Sequence, residues 1–242
     1  MTTKKQIRKW ENIKCPVHRK LSSNAENYLY AMHLLNEKKE KITASSILEY
    51  IKVLPSTENL GTSLPTVTGM LKRMVRDHLI IKNKNNEVFL TEYGEISAKE
   101  QTKRFRLASK FVHEILKIDL KNVFQEAHLL EHAISQDVEN AIEKLLNYPD
   151  KDPFGQDIPG SKKTEKINII PLSKTTKNKS YTISKIPPEN PEFVDFLHTN
   201  KILPGSIITI HEVSDTRGII NIKINNNSVD LALNVAQTIW VK

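Results

Sequence analysis

The chain has 242 residues, of which 38% are hydrophobic and only 6% aromatic, enough for one large domain or two to three small ones with aliphatic cores. Lys and Arg outnumber Asp and Glu by 36 to 28, a net charge of +8, which favours a polyanionic partner. The single Cys15 excludes an intrachain disulfide and fits a reducing compartment. No run of about 18 apolar residues and no signal-peptide core occurs, so a cytoplasmic protein is expected.

Residues 1–22 are polar and basic and read as an N-terminal arm. Cys15-Pro-Val-His18 has metal-like spacing, but no second pair lies nearby to complete a site. Residues 24–38 place Ala25, Leu29, Met32 and Leu35 on one stripe, a first amphipathic helix. Thr43 can cap a second helix carrying Ile47, Leu48 and Ile51. A segment rich in turn formers, residues 55–62, follows. Ser63 can cap a third helix, with Pro65 early in it, where a missing N–H costs little. That helix is expected to turn Val67, Leu71, Met74 and Val75 inward and to present Thr66, Thr68, Lys72, Arg73 and Arg76 elsewhere. Two short apolar runs, residues 79–82 and 88–90, flank the tip Asn83-Lys84-Asn85-Asn86 and read as a hairpin. Three helices and a hairpin make a winged helix-turn-helix, whose third helix would enter the DNA major groove while the hairpin touches the adjacent backbone.

Thr91 can cap a long helix through about residue 116, with Phe105, Ala108, Val112 and Ile115 on one face. The next helix ends in His128-Leu129-Leu130-Glu131-His132. Residues at i, i+3 and i+4 share a helix face, so two imidazoles and a carboxylate stand side by side, a set suited to a divalent transition metal. Three readings of it stand: a solvated polar face, the H-x-x-E-H arrangement of a zinc hydrolase with Glu131 as general base, or three ligands of a sensory metal. Ser135 caps a further helix bearing Val138, Ala141, Ile142 and Leu145, an apolar surface that reads as a dimer interface.

Residues 149–166 hold Pro149, Pro153, Gly155, Pro159 and Gly160 and read as a linker. Short β runs follow around residues 167–170, 181–184, 206–210, 218–224 and 238–241, with one helix near 191–199. The fold class expected is α+β and multidomain. A basic arm (1–22) precedes a winged helix-turn-helix (23–92), a helical metal-binding and dimerisation domain (93–148), the linker and a small SH3-like β-barrel (167–242).

Several stretches together resemble the diphtheria-toxin repressor family of metal-dependent transcriptional repressors, including the manganese transport regulators. They are Ala25-Glu26-Asn27-Tyr28-Leu29, Ser63-Leu-Pro-Thr-Val-Thr68, Leu90-Thr-Glu-Tyr-Gly94, Glu131-His132 and Asp152-Pro-Phe-Gly-Gln-Asp-Ile-Pro-Gly160, with Leu203-Pro-Gly-Ser206 in the tail. The resemblance spans about residues 23–242. It implies a primary metal shell of Asn27, His128, Glu131 and His132, with Asn27 and His128 replacing residue types common among relatives. The family's ancillary positions fall on Phe105, Ser109 and Phe124, and Tyr30 stands where a second manganese site has a carboxylate. The resemblance therefore implies one divalent ion per subunit, Mn²⁺ or Fe²⁺ with Zn²⁺ as the alternative. Glu189 and Glu192 lie near the place where relatives contribute ligands from the third domain, and here read as surface carboxylates.

DNA contacts are expected from Thr66 and Thr68 to bases, and from Ser63, Lys72, Arg73 and Lys84 to phosphates, with Pro65 beside them at the helix start. The expected function is a homodimeric repressor, of metal-uptake genes, in which the ion bridges the DNA-binding and dimerisation domains. A zinc hydrolase and a metal-independent winged-helix dimer are the alternatives.

Overall fold

The computed structural model describes residues 21–54, 60–161, 168–225 and 227–242. The basic arm, with Cys15 and His18, and parts of the expected turn-rich loop and linker lie outside the described residues. The chain divides into two compact units, residues 1–48 with 60–98, and residues 49–59 with 99–242.

In the first unit, α1 (Ser23–Glu37) starts at Ser22, whose side chain accepts from the Ala25 N–H. Its expected stripe of Ala25, Leu29, Met32 and Leu35 is buried. Helix α2 (Ala44–Ile51) begins after Thr43, whose hydroxyl accepts from the Ser46 N–H while the Ser46 hydroxyl accepts from the Thr43 N–H. This reciprocal pair satisfies two N–H groups that a helix start otherwise leaves open. Helix α3 (Leu64–Arg76) is capped by Ser63, with proline in its first turn. Val67, Leu71 and Met74 are buried as the periodicity requires, but Val75 is 39% exposed. The apolar stripe of α3 is thus one residue narrower than its composition implies.

Strands β1 (Ile80–Lys82) and β2 (Val88–Leu90) pair antiparallel, with Ile81 opposite Phe89. Asn83 closes the tip by accepting from the Asn85 and Glu87 N–H groups, and Asn86 takes the left-handed conformation that asparagine tolerates. Thr91 follows the hairpin and ties it to the next helix: its hydroxyl donates to the His78 carbonyl and accepts from the Gly94 N–H. A Cβ at Gly94 would lie 1.9 Å from the Leu79 carbonyl oxygen. Glycine at this position is what lets α4 (Glu92–Glu114) start against β1.

The second unit holds the rest of α4, then α5 (Leu120–Glu131) and α6 (Gln136–Leu145). Phe105, Ala108 and Val112 are buried along α4, while Ile115, just past its end, is 43% exposed. Ser135 caps α6 by accepting from the Val138 N–H. Lys103 joins α4 to α6 through Glu139 at 3.1 Å and Glu143 at 2.8 Å. Burial alone would lower the Lys103 pKa, but its bonds to Glu143 and Glu139 outweigh that and raise it.

The remaining strands are β3 (Ile170–Pro171), β4 (Ser180–Lys185), β5 (Ile207–Ser214), β6 (Ile219–Ile224), β7 (Asn227–Ala232) and β8 (Trp240–Val241). Helix α7 (Pro191–Thr199) follows β4, and the short α8 (Leu233–Ala236) precedes β8. The strands form one six-stranded sheet in the order β3-β8-β4-β5-β6-β7. This corrects the expectation of a small β-barrel. A barrel requires the two outermost strands to pair with each other, and here β3 and β7 are edges of an open sheet. Strand β3 has only two residues, one of them Pro171, which has no N–H to donate.

Strand β7 is an addition to the expected set. Its buried Val229 and Leu231 alternate with exposed Ser228 and Asp230, and it pairs with β6 over six residues. The core of this unit is continuous from the helices to the sheet. Val112, Leu120 and Val123 share it with Ile183, Val194, Ile208, Ile220 and Val241. Phe154, within the expected linker, is buried in the same cluster.

Candidate metal centre

Helix α5 ends at Glu131, and its last turn supplies the candidate site. His128 and Glu131 are both 0% exposed, on the face that α5 turns inward with Val123, Phe124 and Ala127. The His128 ring packs against two aromatic rings. Phe105 lies 4.4 Å away, centroid to centroid, at a tilt of 34°, and Phe124 meets it edge to face at 4.7 Å. The two phenylalanines themselves pack edge to face at 5.6 Å. Packing against both rings fixes the orientation of the imidazole, and the side chain is fully buried.

His128 Nδ1 stands 2.9 Å from Glu131 Oε1. The two atoms are within hydrogen-bonding distance, and an ion bound to both would take the place of the proton between them. His132, at the end of the helix and still partly covered, has Nε2 at 3.8 Å from the same oxygen. The three side chains thus meet around one carboxylate oxygen. Metal–ligand bonds of about 2.0–2.2 Å put neighbouring donors roughly 3 to 3.5 Å apart. The Nδ1–Oε1 separation already matches that spacing, and His132 needs only a small shift. Among the described residues, no group of three or more His, Cys, Asp or Glu side chains is assembled as a finished ligand shell. The donor set fits a divalent ion all the same: two imidazoles and one carboxylate, two of the three buried, with borderline nitrogen donors and one hard oxygen.

The other expected positions fall as follows. Asn27 is buried on α1, in the first unit, whereas His128, Glu131 and His132 are in the second. Phe105 and Phe124 are the aromatic walls just described, and the Ser109 hydroxyl donates to the Phe105 carbonyl within its own helix. The implied ancillary positions therefore present rings and an internally bonded hydroxyl. Glu192 lies exposed in the first turn of α7, and Glu189 is partly exposed just before it. On the DNA-reading elements, Ser63, Pro65, Thr66, Lys72 and Arg73 are exposed and Thr68 is half-buried. Ser63 and Thr66 share a hydroxyl hydrogen bond of 2.9 Å at the start of α3. Lys84 is exposed at the hairpin tip.

A buried charged cluster was not anticipated. Arg106 on α4 is 1% exposed, and its guanidinium donates to the Asp157 carbonyl. Asp152 is also buried, and its Oδ1 accepts from the Phe154 and Gln156 N–H groups. Burial pushes the Asp152 carboxyl up to about 6, although the Arg106 charge and the two backbone donors oppose that rise. Burial likewise works to raise Asp157, but the Lys185 ammonium at 2.5 Å and Lys151 bring it below the ordinary carboxylate range. The cluster ties α4 to the Asp152–Asp157 turn. Gly155 (φ +81°) and Phe154 dock that turn on β4: a Cβ on Gly155 would meet the Ser184 carbonyl oxygen at 2.0 Å, and the Ile186 N–H donates to the Phe154 carbonyl. The signal for this in the sequence was the Pro-Phe-Gly-Gln run, which composition alone assigned to a linker.

Comparison with known proteins finds two family matches, both after residue 90. Residues 91–160 match the family described as "Iron dependent repressor, metal binding and dimerisation domain", and residues 170–242 match the FeoA domain. The iron-dependent repressor IdeR of Mycobacterium tuberculosis is 28% identical over 167 residues, covering 69% of this chain and 71% of the relative. The diphtheria toxin repressor of Corynebacterium diphtheriae is 34% identical over 103 residues, 43% of this chain and 46% of the relative. The chain belongs to the diphtheria-toxin repressor/IdeR-like family of metal-dependent transcriptional repressors. Among solved family structures, a manganese-dependent transcriptional repressor in complex with manganese superposes with a TM-score of 0.79 at 25% identity, over 90% of this chain and 98% of the other. ScaR with bound Zn²⁺ gives 0.74 at 26% identity, over 90% and 99%. Members of this family are repressors and not enzymes, which sets aside the hydrolase reading of the H-x-x-E-H turn.

Proposed function

We propose that this metal-dependent, DNA-binding transcriptional repressor senses one divalent ion per subunit through Asn27, His128, Glu131 and His132, and that it represses genes of metal uptake. The observation that carries the reading is the convergence of the His128, His132 and Glu131 side chains at the buried end of α5. The family resemblance adds Asn27. The phenylalanines at two of the three ancillary positions support a single ion. The ligand types suit Mn²⁺ or Fe²⁺, and two imidazoles with one carboxylate also suit Zn²⁺. Solved relatives hold manganese in one case and Zn²⁺ in another.

In this reading the chain works as a homodimer. Residues 23–92 form the DNA-binding module, residues 93–148 the metal and dimerisation module, and residues 167–242 the C-terminal domain. Exposed Val138 and Leu145 on α6 supply apolar surface for the dimer contact. Two recognition helices α3 then meet half-sites about one DNA turn, ~34 Å, apart or a multiple of it. Thr66 and Thr68 read bases, and Ser63, Lys72, Arg73 and Lys84 hold phosphates, with Pro65 shaping the helix start. The ion acts by binding the DNA-competent pose more tightly than the others, which shifts the population toward it.

The test is retention of genomic DNA fragments by the full chain in chelator, and then with Mn²⁺, Fe²⁺ or Zn²⁺ added singly. Particular fragments should be retained only with metal, and Glu131→Gln should abolish that retention together with metal affinity. Linkage also requires operator DNA to tighten metal binding by the same factor as metal tightens DNA binding. Equal retention in chelator would overturn the metal dependence.

A further inference from the structure

The buried stripe of α4 runs Gln101, Phe105, Ala108 and Val112, at steps of four, three and four residues. Three of these are apolar, as a buried stripe should be. Gln101 is not, yet it is 0% exposed, and neither its amide oxygen nor its amide nitrogen has a hydrogen-bond partner. Burying an amide with nothing to bond is costly, and a core position of this kind ordinarily carries Leu or Ala.

Its place in the fold supplies a reason. Val112 shares a core with Leu120 and Val123 near the start of α5, and one and a half to two turns earlier Phe105 packs on Phe124 and His128. Moving toward the N-terminus of α4 therefore moves toward the C-terminus of α5. Gln101 lies one turn before Phe105, about 6 Å along the axis, which sets it level with the turn carrying His128, Glu131 and His132.

We propose that Gln101 belongs to the metal centre, its side-chain amide oxygen serving as a neutral ligand to the ion held by His128, Glu131 and His132. The inference rests on the reading of those three residues as ligands. It accounts for a polar residue on an apolar stripe, and it adds a hard oxygen to a shell otherwise rich in imidazole.

The experiment uses the full chain and the metals alone. Mn²⁺ affinity is measured by competition with a chromophoric chelator, Co²⁺ coordination by visible absorption, and metal-free stability by thermal unfolding. Gln101→Leu should weaken Mn²⁺ binding at least tenfold, alter the Co²⁺ spectrum and raise the metal-free unfolding temperature. Gln101→Glu, which keeps the shape and adds charge, should tighten Mn²⁺ binding at least fivefold, and it carries the test if the leucine variant fails to fold. Mn²⁺ affinity within twofold of the parent and an unchanged Co²⁺ spectrum in Gln101→Leu would overturn the proposal, as would Mn²⁺ affinity equal to or below the parent's in Gln101→Glu. Glu131→Gln separates the two levels. Retained Mn²⁺ binding in that variant sinks the site itself, whereas its loss alongside an unaffected Gln101→Leu sinks only the role of Gln101.

Discussion

Three side chains of α5 show how local spacing becomes chemistry. The i, i+3, i+4 pattern put His128, Glu131 and His132 on one face, and that much was legible from the sequence. What it did not contain is the pair of rings around His128, because Phe105 comes from α4 and meets α5 only through the helix hairpin. The Arg106–Asp152 cluster was hidden for the same reason, since its members are 46 residues apart and each reads as a surface charge on its own. Asp152 carries a testable pH effect. The folded state raises its carboxyl to about 6, so it holds a proton more tightly than the unfolded chain, whose Asp titrates near 4. The Asp152 contribution to stability is therefore fullest below about pH 4, declines as pH rises to about 6, and is flat above that, a change of roughly 2–3 kcal/mol. Asp152→Asn keeps an oxygen for the Phe154 and Gln156 N–H groups and should remove this decline. Denaturant titrations from pH 4 to 7 check it, and an unchanged slope would assign the effect to another group.

Among the elements, the winged helix-turn-helix was the most readable part of the chain. Caps at Thr43, Ser63 and Thr91 mark helix starts by a mechanism that acts within three residues. Packing between elements was less visible, and Gly94 shows why: its role is set by the Leu79 carbonyl, 15 residues away. Gly94→Ala should destabilise the protein by about 1–3 kcal/mol or more, because backbone rather than a flexible side chain must move; a shift in the denaturation midpoint measures this. The hairpin tip offers a functional test. Lys84 is exposed and on no apolar face. Replacing it with Ala should weaken binding to all DNA sequences alike and reduce the salt dependence of log K by about one contact's worth. A loss confined to one operator sequence would make Lys84 a base reader. Strand β7 escaped notice because Asn, Ser and Asp outnumber its two buried residues; its pairing with β6 supplies what its composition does not.

For the whole molecule, the apolar residues left exposed on the second unit are informative. Val138 is 46% and Leu145 58% exposed, seven residues apart and so on one face of α6. The matching family description for residues 91–160 includes dimerisation. Replacing both residues with Glu should convert the proposed dimer to monomer in sedimentation equilibrium and weaken operator binding at least tenfold; a dimer that persists would place the interface on another face.

Several features follow from the sequence alone. They are the helices and their starts, the hairpin, the shared helix face of His128, Glu131 and His132, the change from helical to β pattern after residue 166, and the family resemblance. All are written in periods and caps that act within a few residues. Tertiary structure decided that the C-terminal sheet stays open, because closure depends on whether strands β3 and β7, far apart in sequence, can reach each other. It decided that the Asp152–Asp157 turn is part of the core rather than a tether, because Phe154 and Gly155 meet β4 there. It also decided that Gln101 is buried, because only the helix hairpin shows what faces that position. In each case the energy lies in a contact between distant residues, and no local pattern encodes which faces will meet.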